Sequence, residues 1–474
     1  MHARYPLVAT IMVVSLVTVP TIGGQRVDGQ SATGTAAQIT EASILGHLEF
    51  LASDALQGRG SGTRDEHIAA TYIGAQFRRW GLEPMGDDNG FVQTIEVIRE
   101  SAAAPPIVTV GSTRWTHGTG LLVSSLAGVR TTGPLHHFAD GTPVPAGAVV
   151  LMPAPPEGQT GRRGGGPPAT STAGALAVMT MATPQALNSW AAAANRPVSA
   201  GSRLAGVTLS TPRAARVTLD AATHATISSM PDGTPVTIEA TLTNTSTHTW
   251  NAVGRLTGSD PAQRDDVIVL GAHLDHVGMR ENAPGDDKIF NGADDDASGT
   301  VAVMELAQAL AAGPRPRRTL VFALFGSEEA GGFGAGYFVD KPVVDHDRMI
   351  AQLQFEMLGR EDAMVPSQHL WLTGYERSNL GAELARHGAL LVQDPRPDQS
   401  FFTRSDNIRF ARRGIVAHTV SSFNLHTDYH RASDEVSGID LTHMTRAIRS
   451  MLEPVRWLAN STFTPAWAPG GRPQ

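Results

Sequence analysis

At 474 residues the chain is long enough for two or three domains and a large core. With no cysteine it can hold no disulfide, no Cys-ligated zinc and no lipid-modified cysteine. A formal net charge of −8 without any basic run argues against nucleic acid as a partner.

Charged residues make up 17% of the chain, beside 49 Gly and 30 Pro, the composition of a loop-rich protein. Met1–Arg4 is a short positive start, and an apolar run follows from Tyr5 to about Pro20. That run is shorter than the ~20 residues a membrane span needs. It reads as a secretory signal over residues 1–24, followed by a disordered leader over 25–39. The reading is an exported protein, periplasmic or extracellular, with no stable membrane insertion once the signal is removed.

Residues 40–100 open with two helical patterns. Ile44, Leu48 and Leu51 recur at helical spacing, then Gln57–Gly62 breaks the helix, and Ala69, Ile73 and Phe77 mark a second one. Over 101–249 the texture changes. Short Val/Thr/Leu runs such as 106–110 and 148–152 alternate with Gly/Pro/Asp turns, the pattern of a mostly β module. Its Gly158–Pro168 stretch reads as a mobile loop. Residues 250–465 alternate apolar strands with helical patterns, which predicts an α/β fold with a mixed, largely parallel central sheet flanked by helices. Residues 466–474 read as a flexible tail.

In such sheets ligands bind outside the carboxyl ends of the strands. His273, Glu328, Glu329 and Glu356 each follow an apolar run at that end. Glu328 and Glu329 repel each other, and a metal ion is the simplest thing that offsets the cost. His273 and Asp275 stand two apart, either a metal ligand with its orienting partner or an ordinary His–Asp hydrogen bond. Asp294, Asp295 and Asp296 precede a helix whose dipole accounts for one or two acids; a third beside glycines points to a cation. Tyr429 and His430 close the set, in a loop that also carries His426 and Asp428. The other histidines read as structural or surface residues.

Six segments in this order resemble the co-catalytic di-zinc aminopeptidase family that contains aminopeptidase S, aminopeptidase Y and glutamate carboxypeptidase. They are 271–275 (Gly-Ala-His-Leu-Asp), 292–299 (Gly-Ala-Asp-Asp-Asp-Ala-Ser-Gly), 326–329 (Gly-Ser-Glu-Glu), 355–359 (Phe-Glu-Met-Leu-Gly), 405–406 (Ser-Asp) and 428–430 (Asp-Tyr-His). Residues 51–54 and 57–59 resemble the family's opening helices, and 101–249 resembles its inserted protease-associated domain by position and texture.

The resemblance implies a zinc exopeptidase fold and two Zn²⁺ ions. His273, Asp295 and Glu356 would hold one ion, and Asp295, Glu329 and His430 the other, with Asp295 bridging. Asp275 would orient His273, Glu328 would serve as general base, and Tyr429 would stabilise the oxyanion. Glu356 stands where many family members have Asp. The implied function is an aminopeptidase acting on peptides. The rivals are a carboxypeptidase or dipeptidase that takes a substrate carboxylate on Arg360, Arg404 or Arg409, and a non-catalytic binding ectodomain.

Overall fold

The computed structural model describes residues 38–155, 172–207 and 214–474. The signal expected over 1–24, residues 25–37 of the leader expected over 25–39, and the loop over 158–168 lie outside them; Ile39, at the end of that leader, is instead buried in the core and its carbonyl accepts from Arg449. Among the described residues no helix is long and apolar enough to cross a membrane.

Four parallel strands form the centre of the sheet, in the order Thr319–Phe325, Val267–His273, Met349–Phe355 and Ala417–Ser421. Residues of opposite parity along them face opposite layers. Ile268, Leu270, Leu320, Phe322 and Leu324 pack with the helices Glu41–Leu51, Arg64–Arg79, Gly299–Ala311 and Leu441–Asn460. Val267, Val269, Val321, Ala323 and Phe325 pack on the other side with Phe333–Asp340 and Asn407–Arg413. Both faces are buried, which is why Val267–His273 and Thr319–Phe325 read as nearly continuous apolar runs in the sequence, while Met349–Phe355 and Ala417–Ser421 also bury Gln352, Gln354, His418 and Thr419.

Chain order and sheet order diverge at one place. Val267–His273 is first in sequence but sits between Thr319–Phe325 and Met349–Phe355, so successive connections leave it in opposite directions. A crevice opens at the carboxyl ends of such a switch point. The register aligns His273 with Phe325 and Gly271 with Gln354, so the residues following all three strands emerge together.

Two long antiparallel strands, Val92–Ala102 and Leu242–Leu256, lead out of this sheet and back. Between them, among the described residues, nine shorter strands and three short helices enclose a separate apolar core that includes Val108, Leu121, Val149, Met179, Val217 and Ile238. At the other terminus the expected flexible tail is corrected. The Trp467 indole donates to the Gly414 carbonyl at 2.9 Å, Ala468 N donates to the Arg377 carbonyl at 2.7 Å, and Gly471 is buried. These apolar and hydrogen-bonding contacts hold the segment against the helix Asn407–Arg413 and its neighbours.

Candidate metal centre

Three strand ends and two loops build the site. His273 is the last residue of its strand, and its ring is buried. Glu328 and Glu329 follow Phe325 through a tight turn in which Ser327 has a positive φ of 53°. That turn is pinned by the buried Glu66 carboxylate, which accepts from Ser327 N at 2.7 Å and from the Thr249 hydroxyl at 2.8 Å. The Asp275 carboxylate holds the next two amides, accepting from Glu328 N at 2.9 Å and Glu329 N at 3.4 Å.

The loop Ala293–Ser298 is equally constrained. Asp294 N and Asp295 N donate to the Asp434 carboxylate at 3.0 and 3.1 Å. Asp296 accepts from His273 N, Gly299 N and Met357 N at 3.0–3.1 Å, tying three of the elements together. The buried Arg59 guanidinium donates to the carbonyls of Leu51, Leu274, Asn291 and Gly292. It thereby joins the opening segment to both loops.

Asp295 lies at the centre. Its Oδ1 is 3.2 Å from His273 Nε2, while its Oδ2 is 3.1 Å from His430 Nε2. His430 Nε2 is also 2.8 Å from Glu329 Oε1. Glu356 and Glu328 line a small cavity together with Asp295, Glu329 and Tyr429. The Tyr429 ring stacks on His430 with centroids 4.0 Å apart. All eight residues singled out from the sequence therefore meet around one crevice. One expected contact differs: His273 Nδ1 lies 3.1 Å from the main-chain oxygen of Asp275 and 3.7 Å from its carboxylate. The carboxylate is instead occupied by the Glu328–Glu329 amides and the Ser61 hydroxyl, because the strand turns away after His273.

Electrostatics single out a cation site. Burial, with the charges of Asp295 and Glu329 adding, pushes Glu356 up to about 7. Burial also drives Glu328 well above the carboxylate range, reinforced by Asp406 and Glu356. His430 is raised to about 9, against burial, by the adjacent carboxylates of Asp295 and Glu329. Asp295 Oδ2, Glu356 Oε2 and both ring nitrogens of His276 are buried without a hydrogen-bond partner, as expected of atoms reserved for an ion. Oxygen and imidazole donors of this kind suit Zn²⁺.

His276 was not among the candidates. Its ring is fully buried, and its Nδ1 lies 3.1 Å from Glu329 Oε1 and 3.7 Å from Asp295 Oδ2. One donor atom each from His276, Asp295, Glu329 and His430 lies within 4.8 Å of the others. Strand periodicity places residues 273 and 276 on opposite faces, so spacing gave no hint; the strand ends at His273 and the chain turns. Asp434 and Arg59 likewise gave no spacing signal.

A cleft of about 980 Å³ opens beside the cluster, bounded by Arg196, Arg280, Asp286, Phe290, Tyr429 and His430. Arg196 comes from the region with the separate core, so that region forms part of the cleft wall.

His and carboxylate donors gathered at the switch point of a parallel α/β sheet make a candidate metal centre. Residues 251–455 match the family model described as peptidase family M28. The fold is similar to that of an aminopeptidase from Aneurinibacillus sp. strain AM-1, 18% identical with a TM-score of 0.55, covering 90% of this chain and 96% of that one. It is also similar to a zinc aminopeptidase from Bacillus subtilis, 18% identical with a TM-score of 0.52, covering 90% and 97%. In sequence, 121 residues are 31% identical to leupeptin-inactivating enzyme 1 of Streptomyces exfoliatus, spanning 25% of this chain and only 25% of that relative's length. Residues 251–455 are a peptidase M28 domain, of the metallo-exopeptidase group that the six motifs resemble.

Proposed function

We propose that the chain is an exported di-zinc aminopeptidase that removes N-terminal residues from peptides. The observation that carries this reading is Asp295, whose two carboxylate oxygens face two different histidines, His273 and His430. A carboxylate so divided is suited to bridge two ions. His273, Asp295 and Glu356 would hold one, and Asp295, Glu329 and His430 the other. Bound there, the ions would lower the pKa of a water and polarise the scissile carbonyl.

The remaining steps belong to the protein. Glu328 lines the cavity beside these ligands and does not share the close approach of the His276 and His430 rings that Glu329 has, at 3.1 and 2.8 Å. It takes the proton of the attacking water and returns it to the leaving amine. The Tyr429 hydroxyl, kept protonated by burial, donates to the developing oxyanion. The free amino terminus of the peptide lies against the carboxylates, and the chain beyond the cut runs into the larger cleft. Export rests on the charged and apolar pattern of residues 1–24.

One observation favours a second reading, a carboxypeptidase or dipeptidase. Of the three arginines that could anchor a substrate carboxylate, Arg360 is paired with Asp428 at 2.7 Å and Arg409 donates to the Gly331 carbonyl. Arg404 is exposed and lines the cavity beside Glu328 and Glu356, its guanidinium 4.9 Å from the Phe401 ring centroid. Peptides blocked at one end separate the readings. An aminopeptidase cleaves C-amidated peptides and fails on N-acetylated ones. The reverse result, lost in Arg404→Ala, would establish the second reading.

A further inference from the structure

We propose that His276 is a fourth protein ligand on the Glu329–His430 side of the site, which makes the two metal positions unequal. The inference rests on the two-ion reading and goes beyond its five ligands. Around a tetrahedral ion with bonds of about 2.0–2.1 Å, neighbouring donor atoms stand roughly 3.3–3.5 Å apart. His276 Nδ1 is 3.1 Å from Glu329 Oε1 and 3.7 Å from Asp295 Oδ2, and His430 Nε2 is 2.8 and 3.1 Å from the same two oxygens. The four donors already bracket the separations that one ion requires.

The imidazole has no competing role among the described residues. Both ring nitrogens are buried and neither has a hydrogen-bond partner, a costly state for a polar side chain that only fills space. Its position is also built. His276 N donates to the Arg59 carbonyl at 3.2 Å, and Gly60 and His276 form a parallel β-bridge. The ring lies against Gly292, whose φ is +57° and whose missing Cβ would stand 2.5 Å from His276 Cγ. Any side chain at 292 would push the ring off the cluster. The glycine is therefore needed for the ring as well as for the turn.

With His276, Asp295, Glu329 and His430 on one ion, the other is left with His273, Asp295 and Glu356. The first is the tighter position with fewer open sites. The second exchanges sooner and keeps room for the substrate.

The test starts from Glu356→Gln, which disables the second position and isolates the first. Zinc is titrated into this variant and into the double variant with His276→Ala, in competition with a chromophoric chelator. The expected result is a fall in affinity beyond the roughly 10- to 100-fold that loss of an outer-shell partner costs. Unchanged affinity overturns the proposal. A second arm uses His276→Cys, which introduces the only thiol into a chain with no cysteine. The longer metal–sulfur bond, about 2.3 Å, offsets the shorter side chain. Loaded with Co²⁺, this variant should show a thiolate-to-cobalt charge-transfer band absent from the parent. A folded variant that binds Co²⁺ without the band overturns the assignment. A parent protein that binds two ions but cleaves no peptide would overturn the proposed function and leave this inference standing; one that binds no ion overturns both.

Discussion

Glu328 and Glu329 present adjacent backbone amides to the same carboxylate, that of Asp275, and yet their side chains have opposite acidities. Burial drives Glu328 well above the ordinary carboxylate range, and the nearby charges of Asp406, Glu356 and Glu329 add to it. Glu329 is pushed up by burial and by Asp295, but the adjacent His276 and His430 rings bring it below the ordinary value. One turn thus presents two carboxylates of opposite proton affinity side by side, the pair to which the proposed function gives the roles of proton carrier and ion ligand. The turn is rigid because Glu66 and Asp275 take its N–H groups from below.

The pair should separate cleanly on substitution. Glu328→Gln keeps shape and removes the base, so metal content should hold while kcat falls by roughly 100- to 10,000-fold. Glu329→Gln should lose one ion and regain part of its activity in excess zinc. Metal analysis beside steady-state kinetics reads both. If Glu328→Gln sheds the ion and Glu329→Gln keeps it, the two roles are reversed.

Asp295 and His430 make distinct predictions for metal content. Protein purified without chelator should carry about two zinc ions per chain. His430→Ala should retain one, and Asp295→Ala should weaken both, because its two oxygens serve opposite sides. Elemental analysis decides it. A chain that cannot be loaded with any transition metal would refute the two-ion reading.

Arg59 is predicted to matter through stability. Its guanidinium is fully buried and spans four carbonyls on three segments, and burial lowers its pKa to about 10. Lysine has three donors on one atom and cannot span them. Arg59→Lys and Arg59→Ala should each lose on the order of 3–5 kcal/mol in urea unfolding, the usual result of breaking a buried charged network. Metal retention should fall with them. A change under 1 kcal/mol would show that water replaces the guanidinium.

His418 predicts part of the acid sensitivity. Burial lowers its pKa to about 4, and the neutral ring is held between the Thr373 carbonyl and the Ser378 hydroxyl. The unfolded chain, with an ordinary histidine near 6.5, binds the proton first. The stabilisation is therefore complete above pH 6.5 and is lost as pH falls from 6.5 toward 4. At 1.36 kcal/mol per pKa unit this is about 2–3 kcal/mol between pH 7 and pH 4.5. Urea midpoints of metal-free protein at the two pH values should fall more steeply for the parent than for His418→Gln. Equal slopes would assign the acid loss to the carboxylates instead.

The strands and the order of the site motifs were legible in the chain itself. Thr319–Phe325 is apolar after its first residue and Met349–Phe355 is apolar save for Gln352 and Gln354, because both faces of a parallel sheet are covered. His273, Glu328, Glu329 and Glu356 each follow such a run, so the crevice is legible in the chain alone. Local chemistry also marked the helix breaks, at Gln57–Gly62 and before Gly299. What lies between elements was not legible. His276 is read by strand periodicity as facing away from His273, and only the turn after the strand, closed over Gly292 and bridged to Gly60, swings it into the cluster. The Asp275 carboxylate holds the glutamate turn 53 residues away, a pairing that no local spacing encodes. Trp467 and Gly471 sit in a polar, proline-rich end that reads as loose, but they are docked by partners at Gly414 and Arg377. Periodicity reports which face of an element is buried. The atom a side chain meets depends on where distant segments cross, and that is decided by packing.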